Sequence, residues 1–283
     1  MNIQSFLKKT LKSNFLKLTI FLISILKSKN SIYLYNLIFI LKKRKLRFGY
    51  DKRHDLFFVN DFYKKQYFSN KIRGINLYSS GLEYRKLQIA DSYKLSNIDF
   101  KYNDKVIDCG ANYGDLWLYL SDKINVNNYI VFEPGINECR ALKKNVPKNN
   151  IYNLGLGKKK SKINFYINEK DADSSVIEPM NYDKICEIQT TTLNIFLNNH
   201  KLELIKLLKL EAEGYEPEIL LGSNRILHKI EFIAIDGGYE RGKKLEETLS
   251  TQLKFLSKNN FEMIDINLKW GRAILKNKLF NQT

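Results

Sequence analysis

Four acidic residues stand where apolar stretches of the sequence end: Asp108, Glu133, Glu211 and Asp236. Each stretch has the length and composition of a buried strand. The carboxyl ends of parallel strands meet at one edge of a sheet, which is where such sheets bind ligands. Carboxylates gathered there can accept hydrogen bonds from hydroxyl groups, face a cation, or act as general bases.

A glycine turn follows the first of these acids, with Gly110 and Gly114 in a G-x-x-x-G spacing. Glycines let the backbone approach a ligand, and the start of the next helix leaves N–H groups for a polar or anionic one. The dinucleotide fingerprint G-x-G-x-x-G does not match. Instead, Asp108 precedes the first glycine and can meet a cationic amine, while Glu133 can accept both hydroxyl hydrogens of a ribose. This pattern predicts a nucleoside ligand that carries an amino acid and lacks a pyrophosphate, which is the shape of S-adenosylmethionine.

Regular alternation of strands and helices begins at Lys105 and predicts an α/β fold with a parallel sheet covered on both faces. The last two strands are joined by too short a segment for a helix, so we expect an antiparallel hairpin at one edge. The predicted strands are Val106–Asp108, Tyr129–Glu133, Ile151–Leu154, Lys162–Asn168 (an edge strand), Ile188–Thr191, Leu204–Glu211, Glu231–Asp236, Phe261–Ile266 and Arg272–Lys276. A short strand is also predicted before this region, at Phe57–Val59. The predicted helices are Leu82–Ile98, Tyr113–Asp122, Ile136–Asn145, Leu193–Asn199, Pro217–Leu227 and Lys243–Lys258.

The N-terminal residues differ from the rest in charge. Residues 1–50 contain 11 Lys and Arg and no Asp or Glu, so they carry +11 of the net charge of +17. Two apolar runs, Phe15–Leu26 and Ile32–Leu41, are each shorter than the roughly 20 residues that span a bilayer. We predict three parts: a helical basic extension over 1–50, a substrate-side cap over 51–100 and the α/β domain over 101–283. The extension either packs on the domain or a second subunit, or lies on a membrane surface through residues 1–47.

The cysteines and histidines indicate neither a disulfide framework nor a metal site. The three cysteines, Cys109, Cys139 and Cys186, form no C-x-x-C pair, which suits a reducing compartment such as the cytoplasm. The histidines, of which His228 is the best alternative base, are expected at the surface. Because most of the positive charge lies in the extension, we expect no nucleic-acid partner for the domain.

Three segments in order resemble the motifs of the FkbM family of S-adenosylmethionine-dependent methyltransferases. They are Asp108–Gly114, Phe132–Pro134 and Lys209–Glu216, and Asp236–Gly242 looks like a segment found in members linked to sugar methylation. The resemblance covers roughly residues 100–240. One departure is Glu211, where the family usually has Asp in K-x-D-x-E-G, so the same charge stands one methylene further from the backbone.

The resemblance implies a Rossmann-like class I methyltransferase fold with a seven-stranded, mostly parallel sheet, and S-adenosylmethionine as cofactor. The roles that it implies for cofactor residues fall on Asp108, Gly110, Asn112 and Gly114 at the amino-acid end, Glu133 at the ribose, Asn153 and Gly155 at the adenine, and Ser174 and Ser175 nearby. Lys209, Glu211 and Glu213 would face the acceptor. Tyr239 and Arg241 are substrate-binding candidates, although Arg241 is equally suited to capping the preceding turn.

The implied reaction is methyl transfer to an oxygen, with a sugar hydroxyl of a glycan or glycolipid as acceptor. Such a hydroxyl benefits from a base, and we rank Glu211 first, Glu213 second and Asp236 third. A magnesium site between Glu211 and Asp236 is a minor alternative. A non-catalytic protein that binds a membrane or polymer, and an RNA methyltransferase, are the other functions consistent with the sequence. Homo-oligomerisation stays open, and we expect the specificity loops at 51–81, 169–186 and 237–243.

Overall fold

The computed structural model describes residues 26, 28–41, 43–62, 64–147, 150–168 and 174–280. They form two compact units that divide between Leu82 and Glu83. The predicted boundaries at residues 50 and 100 stay predictions, and most of the apolar run Phe15–Leu26 lies outside the described residues. In the described part of the chain, no helix is both long and apolar enough to cross a bilayer.

The first unit is a small antiparallel sheet with helices. Its elements are α1 (Ile32–Leu41), β1 (Arg47–Asp51), β2 (Leu56–Asp61), β3 (Lys64–Phe68), α2 (Lys71–Tyr78) and, beginning at its last residue, α3 (Leu82–Ser92). The strands pair in the order β1-β2-β3. Aromatic side chains fill the core, and Phe48 and Phe68 meet edge to face with ring centres 6.2 Å apart. The predicted strand at Phe57–Val59 lies within β2, whereas β1, β3 and α2 were not predicted.

The second unit holds the predicted α/β sheet. Its first elements are β4 (Val106–Cys109), α4 (Asp115–Leu120), β5 (Tyr129–Phe132), α5 (Ile136–Asn145), β6 (Ile151–Tyr152), β7 (Gly155–Leu156), β8 (Ser161–Ile167), β9 (Lys184–Thr191) and α6 (Leu193–Asn199). Its remaining elements are β10 (Ile205–Leu210), α7 (Glu216–Leu221), β11 (Ile230–Asp236), β12 (Tyr239–Arg241), β13 (Glu246–Glu247), α8 (Leu249–Lys258), β14 (Phe261–Asn267) and β15 (Arg272–Asn277).

Seven strands form the main sheet in the order β14-β15-β11-β10-β4-β5-β6. The pairs from β11 to β6 are parallel, and β14 and β15 form the predicted antiparallel hairpin at one edge. The first strand of the unit, β4, is central, and the chain builds outward from it in both directions. The strand order therefore reverses at β4 and β10, which is where open α/β sheets bind ligands.

Both faces of this sheet are covered, because side chains alternate along each strand. On one face Ile107 and Leu208 join a core with Phe196 and Leu220, and on the other Val106 and Leu207 pack with residues that include Leu116. These parallel strands are therefore apolar on both sides, as their near-continuous hydrophobic runs predicted.

Several elements differ from the prediction. Two helices are shorter than expected, because the one predicted over Leu82–Ile98 ends at Ser92 and the one predicted over Pro217–Leu227 ends at Leu221. The strand predicted at Lys162–Asn168 pairs in a separate sheet, β7-β9-β8, rather than at an edge of the main one. The helix predicted from Lys243 begins at Leu249, after the β12–β13 hairpin. Gly237 fixes this start, since its carbonyl accepts the N–H groups of Thr248 and Leu249 and a Cβ on it would overlap Leu249.

Candidate functional site

Lys209 lies at the centre of the strand ends. The parallel register of β10 and β4 places Lys209 beside Asp108, and both side chains are buried. Its Nζ lies 3.0 Å from Asp108 Oδ1 and 2.8 Å from Glu211 Oε2, and it donates to the Gly110 carbonyl at 2.8 Å. Burial alone would lower the pKa of Lys209, but the charges of Asp108 and Glu211 hold it above the ordinary value. This lysine stays charged and joins β10 to the glycine turn.

Glu211 bridges two cations. Its second oxygen, Oε1, accepts from Arg272 at 2.7 Å, so the carboxylate is clamped between Lys209 and Arg272. Burial alone would raise the pKa of Glu211, but these two positive charges hold it well below the usual value. Among the predicted bases, Glu211 is therefore the one most firmly held as a carboxylate, which makes it a poor proton acceptor.

Arg272 was not among the predicted site residues, and it binds Asp236 as well as Glu211. The antiparallel register of β15 with β11 sets it opposite Asp236, whose Oδ2 lies 2.6 Å from the guanidinium. The guanidinium also donates to Ser92 Oγ at 3.0 Å and lies over the Tyr93 ring, 4.4 Å from its centre. Burial raises the pKa of Asp236, and Arg272 only partly offsets this. The lone Arg at the start of the last predicted strand was the available sequence signal.

The glycines of the turn are required by the protein's own packing. Gly110 and Gly114 both have positive φ, at 71° and 82°. A Cβ on Gly110 would overlap the Glu211 carbonyl oxygen, and one on Gly114 would stand 2.7 Å from Leu142 Cδ1. The close approach that the sequence indicated is thus to β10 and α5. Their role in cofactor binding stays a prediction.

Glu133 lies just after β5 and shapes the turn. Its Oε2 accepts the Asn112 N–H at 2.8 Å, and its Oε1 accepts the Gly135 N–H at 2.7 Å. Burial raises the pKa of Glu133 to about 8, and the nearby charge of Glu138 adds to this. Asn153 donates to the Glu133 and Pro134 carbonyls at 2.8 and 3.0 Å, so it fixes the segment that carries Glu133.

The turn fits the amino-acid end of S-adenosylmethionine at Asn112. Its Oδ1 is buried and has no hydrogen-bond partner in the described part of the chain. A buried acceptor of this kind is stabilised by a donor such as an ammonium group. Asp108 is less available, because its carboxylate is fully buried and bound by Lys209 and the Tyr129 hydroxyl. In this structure the cation that Asp108 meets is Lys209.

The other predicted site residues are distributed around this centre. Ser175 is buried, and its hydroxyl donates to the Glu213 carbonyl at 3.0 Å, which joins the small sheet to the predicted acceptor side. Ser174 accepts the Asn168 N–H within that sheet region. Gly155 lies in β7, where a Cβ would stand 3.3 Å from Thr190 Cγ2. These contacts bring Ser175 to Glu213. They do not connect Ser174 or Gly155 to Lys209 and the carboxylates that it binds.

The two substrate-binding candidates lie on β12. Tyr239 is 75% exposed. Arg241 forms a two-point pair with Glu218, at 3.0 and 2.7 Å, and donates to the Gly214 carbonyl at 2.6 Å. The guanidinium thus connects β12 to α7, a structural role different from the capping of the preceding turn that the sequence suggested. Substrate binding by either residue stays a prediction.

Glu240 lies between Tyr239 and Arg241 on β12 and was not among the predicted site residues. Its Oε1 and Asp236 Oδ1 lie 3.6 and 3.5 Å from the point where a Gly238 Cβ would stand, so both carboxylates face the same space. Burial raises the pKa of Glu240 to about 8, and the charges of Asp236, Glu211 and Glu216 add to this against Arg272. No hydrogen bond or ion pair to Glu240 is found among the residues that the structure describes. Glu216, buried nearby, has a pKa of about 7 that burial raises.

Comparison with solved structures gives distant similarity only. The chain is 17% identical to the FkbM methyltransferase from Methylobacillus flagellatus (TM-score 0.43; 63% of this chain, 44% of that one), so it spans less than half the length of that structure. It is 13% identical to a TehB-like methyltransferase from Corynebacterium glutamicum (TM-score 0.39; 69% and 95%). It is also 13% identical to Aeropyrum pernix fibrillarin with bound S-adenosyl-L-methionine (TM-score 0.39; 82% and 98%). No curated protein matches the sequence.

The family assignment comes from the sequence of the domain itself. Residues 108–263, more than half of the chain, match the model of the methyltransferase FkbM domain. The match begins at Asp108 and includes the glycine turn, Glu133, the Lys209–Glu216 segment and α8. The seven-stranded sheet order agrees with the class I fold that was expected. The chain belongs to the FkbM family of S-adenosylmethionine-dependent methyltransferases.

Proposed function

We propose that the protein transfers the methyl group of S-adenosylmethionine to a sugar hydroxyl of a cell-surface glycan or of its lipid-linked precursor. One observation carries the choice of an oxygen acceptor: the carboxyl of Glu240 faces the same space as that of Asp236, and no cation is bound to it among the residues that the structure describes. A hydroxyl must lose its proton as it is methylated, and a base with a pKa near the working pH serves this best. The pKa of about 8 at Glu240 meets that condition.

The cofactor would be held by residues around the glycine turn. Asn112 Oδ1 would accept from its amino group, and Glu133 would accept from its ribose. When bound, the sulfonium supplies an already activated methyl group, so the protein has mainly to orient the acceptor and remove one proton. Lys209 would hold the cofactor side and the acceptor side of the site together, because it binds the Gly110 carbonyl and the Glu211 carboxylate.

The path of the proton then follows from the difference between Glu240, which has a raised pKa, and Glu211, which stays ionised. The bond from sulfur to the methyl carbon breaks as the bond from the acceptor oxygen forms, and the hydroxyl proton passes to ionised Glu240. Glu211 and Asp236 would hold the acceptor or the loop beside it through Arg272, rather than take up the proton. Glu240 is thus the proposed base in place of Glu211, which is ranked first from the sequence.

The glycan part of the proposal has two supports. The Asp236–Gly242 segment resembles members linked to sugar methylation, and the basic, apolar N-terminal residues suit an enzyme that meets lipid-linked acceptors. The test is methyl transfer by the full chain from S-adenosylmethionine with a tritiated methyl group, offered to glycolipid, polysaccharide and RNA fractions of cells that lack this protein. We expect base-stable label in a carbohydrate fraction, because a methyl ether resists the alkali that cleaves a methyl ester.

Variants make the outcome specific. Glu240→Gln should lose transfer by about 10²- to 10⁴-fold, the usual contribution of a general base, and keep S-adenosylmethionine binding by calorimetry. The control Glu203→Gln changes an exposed carboxylate paired with Lys229 and should behave as wild type. Label in RNA would replace this proposal with the RNA alternative, and cofactor binding without label in any fraction would favour a non-catalytic protein.

A further inference from the structure

Helix α1 has an inner face that fixes its orientation. Tyr35 and Phe39 are buried, and the ring of Tyr35 meets that of Phe48 on β1 edge to face at 5.5 Å. Asn36 fastens the same face, because its side chain donates to the Phe48 carbonyl at 2.8 Å and accepts the Phe48 N–H at 2.7 Å. These paired contacts prevent the helix from rotating about its axis, so its outer face is equally well defined.

The outer face is apolar and exposed. Tyr33, Leu34, Leu37 and Ile40 recur at helical spacing, with exposed fractions of 47%, 46%, 58% and 54%. We call these four residues the α1 stripe. Single exposed apolar residues are ordinary, but a contiguous apolar surface of this kind marks a site that binds a protein or a membrane.

The charge around the α1 stripe selects between those partners. Lys43, Arg44 and Lys45 are exposed directly after the helix, and residues 1–50 contain no Asp or Glu. Lys29, before the helix, pairs with the Asp55 carboxylate. Arg44 donates to the Ser79 carbonyl and Lys45 lies over the Phe62 ring, but the three cations after the helix have no carboxylate partner in the described part of the chain. An apolar stripe with adjacent cations complements a lipid surface, where acyl chains take the stripe and anionic headgroups take the cations.

We propose that the α1 stripe docks the protein on the surface of an anionic membrane, with Lys43, Arg44 and Lys45 at the headgroups. This inference is independent of the methyl-transfer proposal, because it concerns only the first unit. Other occupants of the stripe would be a second copy of the chain or its own apolar run Phe15–Leu26. Neither the run nor the α1 stripe of a second copy has the acidic groups that these cations would attract, since both lack Asp and Glu.

The test is cosedimentation of the full chain with vesicles. We expect binding to vesicles of phosphatidylglycerol and phosphatidylcholine, weakening with added salt, and little binding to phosphatidylcholine alone. Leu34→Glu with Leu37→Glu should reduce the partition coefficient by at least about tenfold, since two charges enter the apolar layer. Lys43→Glu with Lys45→Glu should remove the preference for anionic vesicles. The control Leu268→Glu, at a position 80% exposed in the second unit, should change nothing.

Each alternative gives a different result. If the stripe variant unfolds by circular dichroism, the milder Leu34→Gln with Leu37→Gln replaces it and should still weaken binding. Binding by the stripe variants equal to that of wild type would overturn the proposal, as expected if residues 15–26 bind lipid or cover the stripe. Absence of wild-type binding, or a shift from dimer to monomer by light scattering without any vesicle effect, would overturn it as well.

Discussion

Glu211 and Glu240 are two glutamates at the same edge of the same sheet, and their surroundings make them different groups. Glu211 ends β10 between Lys209 and Arg272, at 2.8 and 2.7 Å. Glu240 lies on β12 and faces the same space as Asp236, and no cation is bound to it in the described part of the chain. Because of this difference, the pKa of Glu211 is held well below normal, whereas burial raises that of Glu240 to about 8.

The difference assigns two tasks. A carboxylate that is always ionised and held at both oxygens can position a loop or a substrate, but it gains little by taking a proton. A carboxyl with a pKa near neutrality can exchange a proton at the working pH. The comparison therefore supports our proposal that the Lys209–Glu211–Arg272 network has a structural role and that Glu240 accepts the proton.

The largest expected effect concerns Lys209, one of the two cations that keep Glu211 ionised. Lys209→Met removes the cation that buried Asp108 shares with Glu211, whose side chain is 28% exposed, and it leaves Asp108 without its only cationic partner in the described residues. Breaking one partner of a buried pair costs about 3–5 kcal/mol. We expect a loss of that size in the free energy of unfolding, measured by urea denaturation followed by circular dichroism.

The matched control for this change is Lys162→Met. Lys162 pairs with Glu187, and more than half of each side chain is exposed. An exposed pair contributes about 0–1 kcal/mol. Equal losses in the two variants would contradict the view that Lys209 holds the site together.

The second effect is a pH dependence of stability at Glu240. Its pKa rises from an ordinary 4.5 to about 8 on folding. A group with a raised folded-state pKa stabilises the protein at low pH, and that contribution is lost as the pH rises from 4.5 through 8. Glu240→Gln removes the titration. The stability of the variant relative to wild type should therefore increase by about 3 kcal/mol between about pH 5 and pH 9, allowing for its partial exposure.

Urea denaturation at both pH values measures this difference. Glu133 titrates in both proteins and is not among the groups that shift the pKa of Glu240, so its contribution cancels in the comparison. Glu203→Gln, an exposed carboxylate, is expected to show almost no change between the two pH values. A pH-independent effect of Glu240→Gln would mean that Glu240 ionises as an ordinary carboxyl, and its role as proton acceptor would have to be abandoned.

The sequence predicted the sheet well, because alternation of apolar strands and amphipathic helices is a local pattern. The hairpin of β14 and β15 followed from the short segment between them. The start of α8 could not be read in this way. The residues from Lys243 onward have helical propensity, but Gly242 and Leu245 have positive φ and Gly237 packs against Leu249. These are contacts between residues that no periodicity relates.

The site was predicted as a set of strand-end acids, and its electrostatics were not. Glu211 and Arg272 are 61 residues apart, and they meet only because β15 returns antiparallel beside β11. In the β12 segment the sequence drew attention to Tyr239 and Arg241, whose chemistry suits a substrate. The inward direction of Glu240 depends on the turn at Gly237 and Gly238. Residue type thus indicated which strand ends carry acids, but strand register decided which of these acids is paired with a cation.

The smallest effect tests Glu133, the other carboxyl that burial leaves with a pKa of about 8. Unlike Glu240, it is bound at both oxygens by backbone N–H groups, so it should act by position rather than by proton transfer. Glu133→Gln replaces one acceptor by an NH2 group that faces the N–H of Asn112 or Gly135. We expect about tenfold weaker S-adenosylmethionine binding in calorimetry, equivalent to about 1.4 kcal/mol.

Glu138→Gln is the control, since it removes the neighbouring charge and leaves both hydrogen bonds of Glu133 in place. If Glu133 acts through its fixed geometry, the Glu138 variant binds the cofactor as wild type does. If instead the protonation of Glu133 governs binding, the two variants should change it in opposite directions, because Glu138→Gln favours ionised Glu133 whereas Glu133→Gln is always neutral. That result would mean that Glu133 acts by titrating, as Glu240 is proposed to do. The hydrogen bonds that Glu133 receives would then make no difference between these two carboxyls.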